Sequence, residues 1–265
     1  MSYLDKRYNT MRVEHSEEGI ATVYFDRPEA MNAANVEMSH ERLEIYAGLA
    51  QDPMVKVVII TGNEKAYCAG GDLAAFSQFN RAQAKAFAMR GVDYQKLLMD
   101  MPKPTIAAVA GYAFGGGMEN VLLCDLRIAA DNARFALSEI KVGIFPGGGG
   151  TQRLVQNMSI CKAKEMIFLG EPIDAQEALR LGLVNKVVPQ SQLMDAARQW
   201  ALTLCERPPV ALREAKRVIN SAWGRDIYAG MELEIEAWSQ LFDTADQKEG
   251  MGAFLEKRRA AFIGK

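Results

Sequence analysis

The stretch that decides the fold reads Thr105-Ile-Ala-Ala-Val-Ala-Gly-Tyr-Ala-Phe-Gly-Gly-Gly-Met-Glu119. It begins as an apolar run typical of a buried strand, and its three glycines come directly before an apolar helix. The same theme recurs on both sides, because residues 55–61 and 126–130 are also strand-like and each is followed by a glycine cluster. This repetition predicts an α/β fold with functional groups where the strands end.

The remaining segments extend this organisation. Residues 20–25 are β-rich, residues 36–50 have helical spacing, and a polar helical region covers about 73–100. Helices are also predicted at 115–125 and from about residue 151. From residue 192 the β signal disappears and helices are expected at 192–206, 209–222 and 226–242. We therefore divide the chain into an α/β core (1–191) and a helical C-terminal region (192–265).

Composition excludes several classes of protein. The chain has 265 residues, of which 49% are hydrophobic and 24% charged, which is typical of a globular protein with a sizeable core. Lys plus Arg number 31 against 33 Asp plus Glu, so the basic excess of a nucleic-acid binder is absent. Only two histidines are present, His15 and His40, and any acid–base chemistry must therefore come from carboxylates or lysines.

Cysteine usage and hydropathy predict a cytoplasmic protein. The four cysteines are widely spaced, as expected of reduced thiols. The first residues lack the apolar core of an export signal, and the longest weakly polar run is too short and too rich in glycine to span a bilayer. His40-Glu41 has no second histidine four residues on. We expect no membrane association, no nucleic-acid partner and no metal site.

Three glycine clusters are the strongest chemical signal: Gly70-Gly71, Gly115-Gly116-Gly117 and Gly147–Gly150. They do not match a P-loop, a nucleophile elbow or a dinucleotide fingerprint. Each cluster alone is consistent with a tight turn. Glycine also lets backbone N–H groups approach a ligand, and two converging amides would form an oxyanion hole.

In these motifs the chain resembles the crotonase (enoyl-CoA hydratase/isomerase) superfamily over essentially its whole length. The resemblance lies in Asp26-Arg-Pro-Glu-Ala-Met-Asn-Ala33, Glu64-Lys-Ala-Tyr-Cys-Ala-Gly-Gly-Asp72, Ile106 to Glu119, Phe135-Ala-Leu-Ser-Glu-Ile-Lys-Val-Gly-Ile-Phe-Pro-Gly-Gly-Gly-Gly-Thr-Gln-Arg153 and Glu249-Gly-Met-Gly-Ala-Phe-Leu-Glu-Lys-Arg258. It implies a spiral of repeated ββα units with a C-terminal helical region that builds homotrimers, often stacked into hexamers.

The resemblance also implies the site. The N–H groups of Gly71 and Gly116 would hold a thioester carbonyl oxygen, while Glu119 as base and Glu139 as acid would share one water. Two carboxylates in one partly dry pocket should titrate together, with one pKa raised. The plain alternatives are a helix N-terminal acid for Glu119 and a solvated loop carboxylate for Glu139. Relatives often have alanine in place of Gly71, so we expect a looser loop here.

Coenzyme A would enter as part of the substrate, with no permanently bound cofactor. By resemblance, the residues that would bind it are Arg27, Lys65 and Ala69, with Phe254 and Lys257 from a neighbouring subunit's tail. Ordinary surface roles are the alternative for each of these. Relatives carry a lysine soon after Asp72, where this chain has Leu-Ala-Ala. Phe76, Phe79, Phe87, Met89 and Met118 could line the acyl pocket, although core packing would also explain them.

The paired acids favour an enoyl-CoA hydratase, a hydro-lyase that reversibly adds water to a trans-2-enoyl-CoA to give a 3-hydroxyacyl-CoA, as in the β-oxidation of fatty acids. The alternative is an enoyl-CoA isomerase or another enolate-forming crotonase. A hypothesis from a different functional class is that the protein is a non-catalytic relative that binds RNA or acts as a scaffold.

Overall fold

The computed structural model describes residues 3–4 and 6–265. The strands in this part of the chain are β1 (Met11–His15), β2 (Ile20–Phe25), β3 (Val57–Thr61), β4 (Ala66–Cys68), β5 (Thr105–Val109), β6 (Tyr112–Phe114), β7 (Leu126–Ala130), β8 (Arg134–Ala136), β9 (Ile173–Asp174) and β10 (Lys186–Val188). The helices are α1 (Val36–Gln51), α2 (Leu73–Phe76), α3 (Arg81–Met99), α4 (Gly116–Val121), α5 (Gly150–Asn157), α6 (Ile160–Leu169), α7 (Ala175–Arg180), α8 (Leu193–Cys205), α9 (Pro209–Ser221), α10 (Ile227–Gln240) and α11 (Ala245–Leu255).

Six strands form a large sheet in the order β1-β2-β3-β5-β7-β10. The β1–β2 pair is antiparallel and the other pairs are parallel. Strands β3 and β5 are buried along their full length, which explains why their sequences are continuous apolar runs. One face of the sheet, with Ile59 and Ala108, packs with Ala197 of α8, while Val58 and Ala107 on the other face belong to the main core.

Four short strands form a small sheet in the order β4-β6-β8-β9. The pairs β4–β6 and β6–β8 are parallel, and β9 is antiparallel to β8. The chain alternates between the sheets, so that β3, β5 and β7 lie in the large sheet while β4, β6 and β8 lie in the small one. Each ββ pair is followed by helix, and this is the repeated ββα spiral that the resemblance implies.

Some boundaries differ from the sequence-based predictions. The helix expected at 115–125 ends at Val121, and the region 73–100 is two helices, α2 and α3. Asn80 separates them because its side chain caps α3, in a capping box with Gln83. The C-terminal region contains the expected helices and also α11, which was not predicted.

None of the helices in the described residues is long and apolar enough to cross a membrane. Within 3–4 and 6–265, no group of three or more His, Cys, Asp or Glu side chains is arranged to hold a metal ion.

Candidate active site

The small sheet brings the glycine clusters together. Gly71, Gly116 and Glu139 follow β4, β6 and β8 by only two or three residues. Since these strands are parallel neighbours, their carboxyl ends lie at one edge of the sheet. A Cβ placed on Gly116 would lie 3.9 Å from the carbonyl carbon of Gly70, so the first two glycine loops are in van der Waals contact. Segments far apart in sequence thus form one site.

The loop at Gly71 is fixed on both sides. The N–H of Ala34 donates to the Gly70 carbonyl (2.7 Å), and the N–H of Asp72 donates to the Ala34 carbonyl (3.0 Å). The Gly71 N–H between them has no acceptor among the described residues. A rigid loop therefore presents one free backbone donor.

The second free donor comes from the start of α4. Gly115 has φ +48° and ψ −122°, a conformation suited to glycine, and its N–H donates to Ala136 of β8 (2.8 Å). This turn starts α4 at Gly116, whose N–H has no acceptor in the described part of the chain because it lies in the first turn of the helix. The Gly71 and Gly116 amides belong to loops in contact, as an oxyanion hole requires.

Glu119 is buried, with 6% of its surface exposed. Its Oε1 accepts hydrogen bonds from the N–H groups of Gly148 and Gly150, each 2.8 Å long. Burial raises the pKa of Glu119, while these two amides and the charge of Arg153 oppose the shift. The third glycine cluster therefore holds the carboxylate, and a Cβ on Gly148 would overlap it.

Glu139 lies beside the second glycine loop. Its Oε1 would be 3.1 Å from a Cβ on Gly115, and its buried Oε2 has no hydrogen-bond partner among the described residues. Burial raises the pKa of Glu139 to about 7, and the negative charge of nearby Glu119 contributes to the shift. The two carboxyl groups therefore interact. We expected only one of their pKa values to be raised, but burial raises the pKa of both.

The raised pKa predicts that Glu139 destabilises the fold at neutral and higher pH. Between its ordinary pKa of 4.5 and about 7, the folded protein retains a proton that the unfolded chain has lost, so stability falls as pH rises through this window. Glu139→Gln removes this titration. We expect the melting temperature of the variant relative to wild type to increase from pH about 4.5 to pH about 7 and then to level off. A pH-independent difference in thermal unfolding would contradict the assignment of the shift.

Arg153 is part of the site, although sequence reasoning gave it no role. Its Nη1 donates to the Gly148 carbonyl (2.9 Å), and its Nη2 donates to the Gln95 side chain of α3 (3.0 Å). Gly149 has φ +94°, and its missing Cβ leaves room for the guanidinium group. Arg153 thus fixes the loop whose amides hold Glu119. The sequence feature that could have indicated this role is the position of Arg153 at the end of the Gly-rich motif.

The sequence and the fold are similar to those of known proteins. A family model described as enoyl-CoA hydratase/isomerase matches residues 15–265. The chain belongs to the enoyl-CoA hydratase/isomerase family. It is 42% identical to a crotonyl-CoA hydratase of Syntrophomonas wolfei over 94% of this chain and 96% of that protein. It is also 42% identical to a short-chain-enoyl-CoA hydratase of Clostridium acetobutylicum, over 91% of this chain and 92% of the relative.

Solved structures of the family have the same fold. A crystal structure of an enoyl-CoA hydratase from Bacillus anthracis matches with a TM-score of 0.93 and 34% identity, and covers 97% of this chain and 100% of that one. An enoyl-CoA hydratase structure from Geobacillus kaustophilus matches with a TM-score of 0.92 and 35% identity, over 98% of this chain and 100% of the other. The predicted crotonase fold is therefore confirmed.

Two of the predicted coenzyme A contacts, Arg27 and Ala69, lie near the Gly71 loop, and a third, Lys65, lies at the other end of β4. Arg27 is mostly buried, and its Nη1 is 3.2 Å from Asp72, so its charge is already paired. Lys65 is exposed directly before β4, where its carbonyl accepts a hydrogen bond from the N–H of Tyr112 at the start of β6. The Ala69 N–H donates to Met31, which leaves the Ala69 carbonyl as the group that can accept a hydrogen bond from a ligand.

The other two predicted contacts lie elsewhere in the chain. Phe254 is 82% exposed near the end of α11, and Lys257 follows that helix with φ +56°. Helix α11 packs against the single helical turn Leu241–Asp243, and its Asp246 accepts hydrogen bonds from the N–H groups of Ile263 and Gly264. The structure thus places these two residues on the C-terminal region, on a surface open to another molecule.

Proposed function

We propose that this protein is an enoyl-CoA hydratase, a hydro-lyase that adds water to a trans-2-enoyl-CoA to give a 3-hydroxyacyl-CoA. The observation that supports it most is the convergence of two free backbone amides with two interacting carboxyl groups. Two relatives at 42% identity, a crotonyl-CoA hydratase and a short-chain-enoyl-CoA hydratase, also support hydratase activity.

In the proposed mechanism, the thioester oxygen accepts hydrogen bonds from the Gly71 and Gly116 N–H groups. These bonds strengthen as the oxygen gains enolate charge, which lowers the barrier. Glu119 takes a proton from water while the water oxygen bonds to the β-carbon. Glu139 delivers a proton to the α-carbon, and dehydration is the reverse. The pKa of Glu139, about 7, suits an acid working at neutral pH.

Glu119 must be ionised to act as the base. Burial disfavours its charged form, and the amides of Gly148 and Gly150 favour it together with Arg153. The two carboxyl groups therefore differ in environment: Glu119 is held by donors, whereas Oε2 of Glu139 has no partner among the described residues. This asymmetry supports the base role that we propose for Glu119 and the acid role that we propose for Glu139.

Coenzyme A is proposed to bind as part of the substrate, with Arg27, Lys65 and the Ala69 carbonyl contributing from one subunit. Phe254 and Lys257 would contribute from a neighbouring subunit. The substrate class is consistent with a role in fatty-acid β-oxidation, and the cysteine usage favours the cytoplasm.

An assembly is proposed because α10 has an exposed apolar row, and the family resemblance implies that it contains three or six copies. Ile227, Met231, Ile235 and Trp238 recur at helical spacing and are 49–68% exposed. A contiguous apolar face of this kind usually marks a protein interface. Light scattering after size-exclusion chromatography measures the mass of the assembly, and a monomer would contradict the proposal.

The activity is tested by mixing purified protein with crotonyl-CoA and longer trans-2-enoyl-CoAs. We expect the absorbance of the conjugated thioester to fall and the product to gain the mass of one water. An unchanged mass with a shifted double bond would support the isomerase alternative. Retention of RNA in a filter-binding assay, without turnover, would support the non-catalytic alternative.

Arg153→Met is expected to shift the pH dependence of hydration. Loss of the positive charge and of the bond to the Gly148 carbonyl raises the pKa of Glu119, so the acidic limb of the kcat profile moves to higher pH. Arg153→Lys keeps the charge and should shift the limb less. Steady-state kinetics across pH measure the effect, and a profile that only drops in height would mean that Arg153 has a purely structural role.

A further inference from the structure

The missing side chain of Gly71 leaves a space that is filled by an aromatic ring. A Cβ placed on Gly71 would lie 2.6 Å from Cζ of Phe76 and closer still to Cε2. Such contacts are too short for any real Cβ, so alanine fits here only if the ring moves. We expected a looser loop at this glycine, but the ring of Phe76 packs directly against the backbone of Gly71.

Two further rings hold Phe76 in this position. Its centroid is 4.9 Å from that of Phe87 and 5.4 Å from that of Phe79, and the Phe79 and Phe87 centroids are 5.9 Å apart. These distances are in the range of favourable aromatic pairs. We call Phe76, Phe79 and Phe87 the phenylalanine cluster. It joins α2 to α3, and all three of its side chains are half-buried.

The phenylalanine cluster lies close to the position proposed for the thioester. Backbone bond lengths and a hydrogen bond of about 2.9 Å place the ring of Phe76 within roughly 8 Å of an oxygen bound at the Gly71 N–H. The cluster is apolar and offers no donors to the amides and phosphates of coenzyme A. An acyl chain is the part of the substrate that matches it chemically.

We propose that Gly71 and Phe76 form a coupled pair that limits the length of the acyl chain. Glycine at position 71 lets the ring approach the oxyanion hole, and the ring, held by Phe79 and Phe87, closes the acyl pocket to long chains. This inference rests on the proposed function and specifies its substrate class: short trans-2-enoyl-CoAs.

The test is a double-mutant cycle of Gly71→Ala, Phe76→Ala and the double variant. For each, kcat/KM is measured with crotonyl-, octenoyl- and dodecenoyl-CoA. We expect Phe76→Ala to raise the ratio of dodecenoyl-CoA to crotonyl-CoA activity at least about tenfold. Gly71→Ala alone should lower crotonyl-CoA activity about tenfold or more, and Phe76→Ala in the same chain should restore most of it, because the ring no longer competes with the new methyl group.

Two further variants sharpen the test. Val92→Ala changes an exposed side chain of α3 and should leave the chain-length preference unchanged. Phe76→Leu keeps apolar packing and should shift the preference in the same direction as Phe76→Ala, which covers the case in which the larger truncation fails to fold.

The outcomes separate the two proposals. If wild type hydrates crotonyl-CoA but the preference is unchanged in both Phe76 variants, or if the effects of Gly71→Ala and Phe76→Ala are simply additive, the coupled pair is overturned and the hydratase assignment stands. If wild type hydrates no enoyl-CoA of any length, the proposed function fails and the inference fails with it.

Discussion

Glu119→Gln is expected to lower the hydration kcat by about 10²–10⁴-fold with little change in KM, because the variant retains the shape of the site but loses its base. The Gly148 and Gly150 N–H groups donate to Oε1, and a glutamine amide oxygen can accept the same two bonds. The loop therefore keeps its anchor. The other carboxylate oxygen becomes an NH₂ group, which cannot take a proton from water.

A matched control exists in the same chain. Glu41 is also a buried carboxylate held by two backbone amides, from Asn9 (2.8 Å) and Thr10 (3.0 Å), but it lies on α1. Glu41→Gln loses one of these bonds, because each oxygen of Glu41 accepts one amide, and therefore lowers stability, but kcat of the folded protein should be nearly unchanged. Steady-state assays with crotonyl-CoA measure both variants. Hydration by Glu119→Gln within a few-fold of wild type would refute the base assignment, and substantial isomerisation that survives in this variant would favour an isomerase that uses Glu139.

Gly116→Pro tests the oxyanion hole at its second donor. Proline is well tolerated at the first residue of a helix, which is the position of Gly116 in α4, and it has no N–H. We expect kcat to fall by at least about 10²–10³-fold, the usual loss when one oxyanion-hole donor is removed.

The control for this variant is Gly116→Ala, which keeps the N–H. A Cβ at this position would be 3.9 Å from the Gly70 carbonyl carbon and 4.0 Å from Oε2 of Glu119, both ordinary contacts. Gly116→Ala should therefore remain much more active than Gly116→Pro. Circular dichroism checks that both variants fold. Equal activity of the two would show that the Gly116 amide does not stabilise the transition state.

Most long elements of the fold could be predicted from sequence, with β1 and α11 as exceptions, whereas the strands of the small sheet could not. Strands β2, β3 and β5 are apolar runs of five or six residues, long enough for a periodicity signal. Strands β4, β6 and β8 have three residues each, too few to show a pattern. The small sheet depends on pairing with distant strands, and it is the part of the fold that positions the site.

Prediction of the site had a similar limit. Glycine clusters and acids could be found in the sequence, but the pairing of Glu119 with Glu139 came from the family resemblance, because the nineteen residues between them do not show how close the two side chains lie. The hydrogen bonds from the Gly148 and Gly150 amides to Glu119, and the bond from Arg153 to the Gly148 carbonyl, form only when the loop is folded. They could therefore not be predicted from the sequence. The contact between Phe76 and Gly71 depends on the packing of α2 and α3.

The distribution of the site over the spiral has a consequence for how the activity can be lost. One ββα unit (a winding of the spiral) supplies Gly71, and the next supplies Gly116 and Glu119. The third supplies Glu139 and the loop whose amides hold Glu119. A fragment that ends before the third winding would lack Glu139 and the loop that holds Glu119, and we expect it to be inactive. Turnover therefore reports that all three windings have formed together.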